Sequence, residues 1–591
     1  MNTRNISLTS EPARPLRIHV AGGLLLFTVV SLIAAVSARA QAATQAITLQ
    51  PGWNAIWLEV QPTNNATAIV FSNLPIASVW TRAERLSSVD FIQNPSEEAF
   101  NEAGWLRWFH PARPEAFLGN LFSVHANRAY LIKSTNSAPI NWSVTGRPSL
   151  RTPEWVPDSY NLRGVPVDAA VLPTFLNFFR HSRAHYNSAN GQLEKIYRLN
   201  SASGQWQLVA PTDVVQHGAA YWIYTRGGSD FLAPLAARLE TGDGLDFGSD
   251  VTELSLRVAN GTAGPMNVTL RETGAGAGRL AHYQFNPTLG GQWSTLSSPL
   301  VISNSAGTET RVRLAVRRQN FTDTNYASIL EVSDGTGSRL LVPVAAQSSA
   351  GPLHSAGLWV GAATINAVSE AHSATPTNPT PTKSQLNLRL IIHVDTNGQA
   401  RLLKEVTQMW RNGTYTNDAG GNRVVEKPGE YVLLTDDTLI PFFNGALVRD
   451  GESVGRRTSS IGYDFPTTAT NNYLNLSGFF TIGQSLSGTL TLAFDHPTNP
   501  FQHKYHPDHD NLNARFDGPT NESYTTTRQI RIDFAPSPPD GPAVPDFGYN
   551  QMGGNYRETI TGIHKRAIHV SGTFRLSRVS PIAQLNPSPT P

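Results

Sequence analysis

Short apolar runs recur along almost the whole chain, and Gly, Pro, Asn and Asp cut them apart. Leu254-Ser-Leu-Arg-Val-Ala, Leu386-Asn-Leu-Arg-Leu-Ile-Ile-His-Val and Gly488-Thr-Leu-Thr-Leu-Ala-Phe alternate with a period close to two. Such alternation builds strands with one buried face, and turn residues this frequent leave no room for long helices. The pattern predicts an all-β chain. One core rarely grows past ~250–300 residues, so 591 residues imply several domains.

Charged residues make up only 15% of the chain, against a usual ~25%. Ser, Thr, Asn and Gln must therefore cover the polar faces, as in an exported β protein. The 46 basic and 44 acidic residues nearly cancel, and no basic stripe is present. Nucleic acid is thus not an expected partner. The absence of Cys excludes disulfides, thiolate metal sites and Cys nucleophiles. Secreted eukaryotic chains of this size usually carry disulfides, so export without Cys points to a bacterial envelope or secreted protein.

Residues 1–40 read as a secretory signal peptide. A net-basic stretch ends at His19, an apolar run follows from Val20 to Val36, and Ala38-Arg39-Ala40 gives a small-x-small cleavage pattern. Cleavage near Ala40 predicts a secreted, periplasmic or cell-surface chain. No later apolar run approaches the ~18 residues of a membrane-spanning helix, so no transmembrane span is expected in the mature chain.

Two stretches look like divergent copies of one β module. Copy 1 covers residues 44–148, opens with Pro51-Gly-Trp-Asn-Ala-Ile-Trp-Leu-Glu-Val and closes near Ala129-Tyr-Leu-Ile132. Copy 2 covers 152–240, opens with Ser159-Tyr-Asn-Leu-Arg-Gly-Val and closes with Ala220-Tyr-Trp-Ile223. Trp53-Asn54 matches Tyr160-Asn161, and Val79-Trp80 matches Ile196-Tyr197. The copy 1 opening resembles the Pro-Gly-Trp-Asn start of small β modules in bacterial and archaeal surface proteins. His217-Gly-Ala-Ala-Tyr-Trp-Ile223 is similar to the way those modules end. The resemblance implies a cell-surface architecture and no particular activity.

Residues 242–346 carry short alternating runs every ten to fifteen residues and predict an Ig-like β-sandwich. A Ser/Ala/Gly/Pro linker leads to a last domain over 357–580, read as a β-barrel or curved sandwich of roughly eight strands. Its first and last strands both end in Val-Ser and are expected to pair and close it. Asn397-Gly398 signals a type I′ hairpin. The Pro-rich end, 581–591, reads as a disordered tail.

Two places offer chemistry. Residues 495–511 hold four of the 16 His together with Asp495, Asp508 and Asp510. His503, His506, Asp508, His509 and Asp510 are the candidate ligands for a divalent metal such as Zn²⁺, since imidazole and carboxylate serve where Cys is absent. Three readings stay open: an open catalytic metal site with Glu558 or Asp508 as base, a closed metal or ligand loop, or a hydrogen-bonded loop without metal. The EF-hand pattern fails, because Asn513 and Pro519 stand where Gly and Glu are needed. Second, Trp105 and Trp108 lie in Gly-Trp-Leu-Arg-Trp-Phe-His-Pro, read as a loop whose rings stack on sugars, whereas Trp53, Trp57, Trp80 and Trp222 read as core. The sequence has no Gly-x-Ser-x-Gly elbow, phosphate-binding loop or His-Glu-x-x-His. These observations favour an exported binding or structural protein that engages a surface protein or polysaccharide, without catalytic residues or an assigned cofactor. A metal-dependent hydrolase using 495–511 and carbohydrate binding through the Trp-rich modules are the alternatives.

Overall fold

A computed structural model describes residues 42–83, 104–274, 277–288, 290–348, 354–370, 374–375, 377–444, 472–493, 525–563 and 566–589, with short pieces between 448 and 522. Among the described residues the longest helix is Asp437–Phe442, with six residues. The chain is all-β, as the alternation predicts.

The two copies each form a four-stranded sheet of one topology. In copy 1 the strands Gly52–Leu58, Ile76–Arg82, Trp105–Phe109 and Arg128–Ser134 lie in the order first, fourth, second, third. In copy 2 the strands Ser159–Arg163, Ile196–Asn200, Gln205–Leu208 and Tyr221–Thr225 repeat that order. The registers agree residue for residue. Asn54 faces Ile132 as Asn161 faces Ile223. Val79 faces Ile132 as Ile196 faces Ile223. Arg82 faces Trp105 as Leu199 faces Trp206.

Two polar clamps recur as well. The Asn54 side chain accepts from Gln50 N at 2.7 Å and donates to Gln50 O and Gly52 O. Asn161 accepts from Val156 N at 2.9 Å and donates to Val156 O and Ser159 O. The Tyr130 hydroxyl accepts from His125 N and the Tyr221 hydroxyl from Gln216 N, both at 2.8 Å. Each clamp satisfies strand-entry backbone groups that would otherwise be buried unpaired.

Alternation gives each sheet two faces. Trp53, Trp80, Trp105 and Leu131 of copy 1 meet Trp206 and Trp222 of copy 2 in one buried cluster. The Trp222 ring is edge-on to Trp105 at 6.3 Å and to Trp206 at 6.2 Å, both favoured aromatic geometries. The opposite face of copy 1 packs Ile56, Val79, Trp108 and Tyr130 onto the strands Ala43–Leu49 and Ile140–Pro148. Backbone hydrogen bonds Trp57 N to Gly218 O (2.8 Å) and Ala220 N to Ala55 O (3.0 Å) stitch the copies together. Gly164 makes the joint possible, since a Cβ there would lie 2.2 Å from the Trp57 side chain.

The third unit is a sandwich of two five-stranded sheets. Leu235–Leu239 pairs with the strand Glu253–Asn260 and adds Leu235 and Ala237 to the sandwich core. The sandwich therefore begins inside the 152–240 segment read as copy 2, and Leu235–Leu239 is the correction to that boundary. Along Met266–Thr273 the inward positions are Met266, Val268, Leu270 and Glu272. The buried Glu272 is tolerated because Tyr326 Oη–H and the Gly278 amide donate to it. Burial, and then the carboxylate beside it, holds the Tyr326 phenol well above its usual range.

Arg318 joins the sandwich to the last domain. Its side chain is fully buried and donates to the carbonyls of Gln347, Phe247, Gly248 and Val251 at 2.8–3.0 Å. Its Nη1 stands 3.6 Å from Asp546 Oδ1. Burial outweighs this loose pairing, so the Asp546 carboxyl is pushed up rather than down.

The last domain is a closed eight-stranded barrel in simple chain order. As expected, its first strand, Gly357–Ser369, pairs antiparallel with its last, Ile568–Ser580, from Leu358↔Ser580 to Val368↔Val570. The closing seam is tight: a Cβ on Gly361 would lie 1.8 Å from the Arg575 carbonyl. Along the last strand Val570, Gly572, Phe574 and Leu576 are buried, while Ser571, Thr573, Arg575 and Ser577 alternate with them on the outer side. An apolar lumen inside a polar wall is the inverse of a lipid-facing barrel. No described helix is long and apolar enough to cross a membrane.

Three details differ from the sequence reading. The Asn397-Gly398 turn is not type I′. Only Gly398 has positive φ (79°), and Asp395 Oδ1 accepts from Asn397 N and Gln399 N, which favours a three-residue loop ending in a glycine bulge. Glu430–Leu434 lies within the 357–580 span read as a barrel or curved sandwich, yet it belongs to a separate three-stranded sheet outside the closed barrel. Residues 581–589 are docked, not a disordered tail. Ile582 and Leu585 pack onto Leu358, Ile391 and Leu433. The Asn586 side chain accepts from Thr435 N at 2.7 Å and donates to Thr435 Oγ1 at 2.8 Å. The two apolar side chains give this Pro-rich string a reason to dock.

Candidate functional site

The His-rich segment is only touched by the described residues. His503 sits in the two-residue strand His503–Lys504, opposite Glu522. His506, Asp508, His509 and Asp510 lie outside the described residues. Among the described residues no group of three or more His, Asp or Glu is close enough to hold a metal ion.

Glu558, named with Asp508 as a candidate base for a catalytic metal site, is committed elsewhere. It points into the barrel, almost wholly buried, and accepts from Arg528 and from Tyr556 Oη at 2.9 Å. A carboxylate bound this way is structural. His569 is half-buried; its Nδ1 is 3.4 Å from Thr559 Oγ1 and its backbone N–H donates to Ser369 Oγ at 2.8 Å.

Trp105 and Trp108 are not a loop platform. They lie on the strand Trp105–Phe109, exposed by only 3% and 8%. Three residues apart on a strand, they point to opposite faces, and both faces are covered. Trp105 packs on Trp222, and Trp108 packs on Phe71 at 6.0 Å. Neither ring presents a face to a sugar.

Copy 2 holds a buried polar chain that sequence reasoning missed. Ser182 Oγ is 2.7 Å from His185 Nδ1, His185 Nε2 is 3.1 Å from Thr225 Oγ1, and Asn161 donates to Thr225 Oγ1 at 3.1 Å. The spacing Ser-x-x-His superficially suits a nucleophile and base. However, His185 is fully buried among Trp155, Phe179 and Phe231, and its far partner is a hydroxyl, not a carboxylate. Burial, aided by Arg163, pulls its pKa down to about 3, so the ring stays neutral. No substrate reaches it.

Clefts occur where the units meet. Around Trp57 and Trp155 the free space is about 50 Å³, and Arg163 lies over both rings at 5.4 and 5.1 Å. That is room for little more than a water, so this region is a joint. The cleft between copy 2 and the sandwich is larger, about 880 Å³. Copy 2 contributes Asn177 and Arg180, from and just after the short helix Phe175–Phe179, with His181 and Tyr186. The sandwich contributes Asn267 and the hairpin turn at Asp334.

That turn is fixed from both sides. Asp334 Oδ1 accepts from Thr336 N at 2.8 Å and Ser338 N at 2.9 Å. Gly337 O accepts from Asp168 N of copy 2 at 2.9 Å. A Cβ at Gly337, whose φ is 129°, would lie 2.7 Å from Pro173. Asp334 is only 7% exposed, and its Oδ2 has no hydrogen-bond partner. In sequence, Asp334-Gly-Thr-Gly reads only as a turn; its depth comes from the docking of copy 2.

No family model and no curated protein matches the chain. Among solved structures it is similar to the periplasmic chaperone SfaE, at 8% identity over 27% of this chain and 92% of that one, with a TM-score of 0.13. It is also similar to the CsuC–CsuE chaperone–tip adhesion subunit complex of Acinetobacter baumannii Csu pili, at 12% identity over 25% and 89%, with a TM-score of 0.12. A protein of unknown function from Bacteroides ovatus matches at 8% identity over 58% and 90%, with a TM-score of 0.14. Similarity this low carries no functional argument.

Proposed function

We propose that this chain is an exported binding protein of the bacterial cell surface, built to hold a ligand or partner in fixed geometry. The observation that carries this reading is the roomy cleft between copy 2 and the sandwich, two units joined beside it by the backbone hydrogen bond from Asp168 N to Gly337 O. Clefts between docked domains are where binding sites concentrate. The N-terminal apolar run, the lack of Cys and the weakly charged composition support export. The sandwich is read as an Ig-like spacer, and a surface protein or polysaccharide as the partner.

The test is expression of the full chain in a bacterial host, followed by fractionation and N-terminal sequencing. A product starting at Gln41 outside the cytoplasm is expected, and it should label intact envelopes. A full-length cytoplasmic product, or a turnover abolished by one substitution, would overturn the reading.

A further inference from the structure

We infer that a second cleft, between copy 1 and the sandwich, binds an oxyanion: the phosphate, sulfate or carboxylate group of a free ion or of an acidic saccharide. The inference goes beyond the binding reading above and uses a different site.

Charge supplies the first argument. The cleft is lined by three arginines, Arg128, Arg147 and Arg151, against one acid, Asp243. Asp243 is already committed. Both its oxygens accept from Arg147 Nη1, at 3.0 and 2.9 Å, and Oδ2 also accepts from Ser149 Oγ at 3.0 Å. Burial works to raise the Asp243 carboxyl, yet these donors hold it below its usual range, so it stays ionised and cancels Arg147 alone. Arg128 and Arg151 leave the lining positive. A concave surface of one sign concentrates ligands of the other.

Arg151 supplies the second argument. It lies just beyond the strand Ile140–Pro148, is exposed, and among the described residues makes no hydrogen bond or ion pair. Its planar fork of N–H donors matches two oxygens of an oxyanion and has no other work in the fold. The Arg147 side chain keeps 39% of its surface exposed while Nη1 holds Asp243. Both guanidiniums therefore present charge to a ligand arriving from solvent.

The cleft is built in advance. The Arg147–Asp243 pair and the bond from Leu150 N to Asp243 O (3.0 Å) fix the end of copy 1 to the sandwich. Asn127, in the left-handed region at φ 57°, donates from its side chain to Ser149 O at 2.9 Å and from its backbone to Leu58 O at 2.7 Å. A preformed site loses little affinity to ordering. The volume, about 370 Å³, falls in the ~300–1,000 Å³ range of small-ligand sites.

The experiment is calorimetry on the mature chain at low ionic strength. The probes are inorganic phosphate and sulfate, then a sulfated oligosaccharide beside its unsulfated form. Arg151→Glu reverses the charge of a side chain that holds nothing else in place, so the melting temperature should not change. Arg183→Glu makes the same reversal at an exposed position of copy 2 outside this cleft. We expect the anions to bind, Arg151→Glu to weaken them by ~tenfold or more, and Arg183→Glu to leave them unchanged. Added salt should weaken binding in the wild type. A sulfated oligosaccharide that binds at least ~tenfold more tightly than sulfate supports the site with a saccharide as carrier, and equal affinity supports it with the free ion as ligand. Absence of anion binding, binding that survives Arg151→Glu, an equal loss in both variants, or equal binding of the unsulfated form would overturn the inference. Each of these would leave the reading of the cleft between copy 2 and the sandwich intact.

Discussion

Copy 1 and copy 2 keep the same four-stranded sheet, yet they cover its outer face differently. Copy 1 uses a second, three-stranded sheet. Copy 2 uses a short helix whose Phe175, Phe178 and Phe179 pack with Trp155, Ile196 and Ile223. The Asn and Tyr clamps persist in both copies because they satisfy backbone groups that any cover would bury. The tryptophan face persists because each copy is the other's cover there. The outer cover is under neither constraint. In copy 2 it carries Asn177 and leads into Arg180, both on the copy 2 wall of the large cleft. Divergence is thus concentrated on the one face that neither the backbone nor the sister module fixes.

The shared face can be broken most severely at Trp222, which is fully buried at the centre of the cluster. Trp222→Ala should cost about 3–5 kcal/mol. The prediction is that denaturant unfolding of both modules shifts together; two separate transitions in the wild type would show that the copies are independent.

The acid response should separate the copies next. His185 has a folded pKa near 3 against 6.5 unfolded, so the folded state binds fewer protons. Its contribution is fully present above pH 6.5 and is lost as pH falls from 6.5 toward 3, on the order of 5 kcal/mol. Copy 2 should therefore loosen first in acid. Hydrogen exchange between pH 7 and 4 would show this, and equal protection loss in both copies would contradict it.

Smaller effects test the residue equivalence itself. Asn54→Ala and Asn161→Ala each remove three hydrogen bonds to backbone and should cost about 1–3 kcal/mol, with Asn161→Ala the larger by up to ~1 kcal/mol because it also loses the bond to Thr225 Oγ1. A larger difference in urea midpoints would mean that one clamp is incidental. The smallest effect is expected at the joint between the copies. His217 Nε2 lies 3.2 Å from Glu59 Oε2, and that hydrogen bond raises the His217 pKa despite burial. This stabilisation is present below pH 6.5 and fades as pH rises through the raised value. Glu59→Gln should remove that alkaline sensitivity, worth about 1 kcal/mol or less.

Much of this comparison was legible in the sequence. Trp53-Asn54 and Tyr160-Asn161, and the closing Tyr130 and Tyr221, sit at matching positions because backbone clamps need a fixed residue at a fixed register. The barrel closure was legible from the Val-Ser pair that ends both its first and last runs, two strands that prove equally long at 13 residues. Trp105 and Trp108 were misread because Gly104 before them and His110-Pro111 after them look like loop punctuation. The intervening strand shows no clean alternation, as both of its faces are buried. The role of Asp334 was invisible, because a turn's depth depends on which neighbour docks against it. The His-rich residues from His506 to Asp510 lie outside the described residues.

The seam between Gly357–Ser369 and Ile568–Ser580 also sets the order of events in folding. The barrel's two outermost strands are contributed by the earliest and latest parts of the domain to be synthesised. Until the latter is available, the sheet has two open edges of unpaired backbone groups, the form most prone to join a neighbour's strand. Closure is a single late, long-range step, and such steps are slow. The polar outer wall then has a second use: a sheet caught waiting for its last strand has only one greasy side to hide.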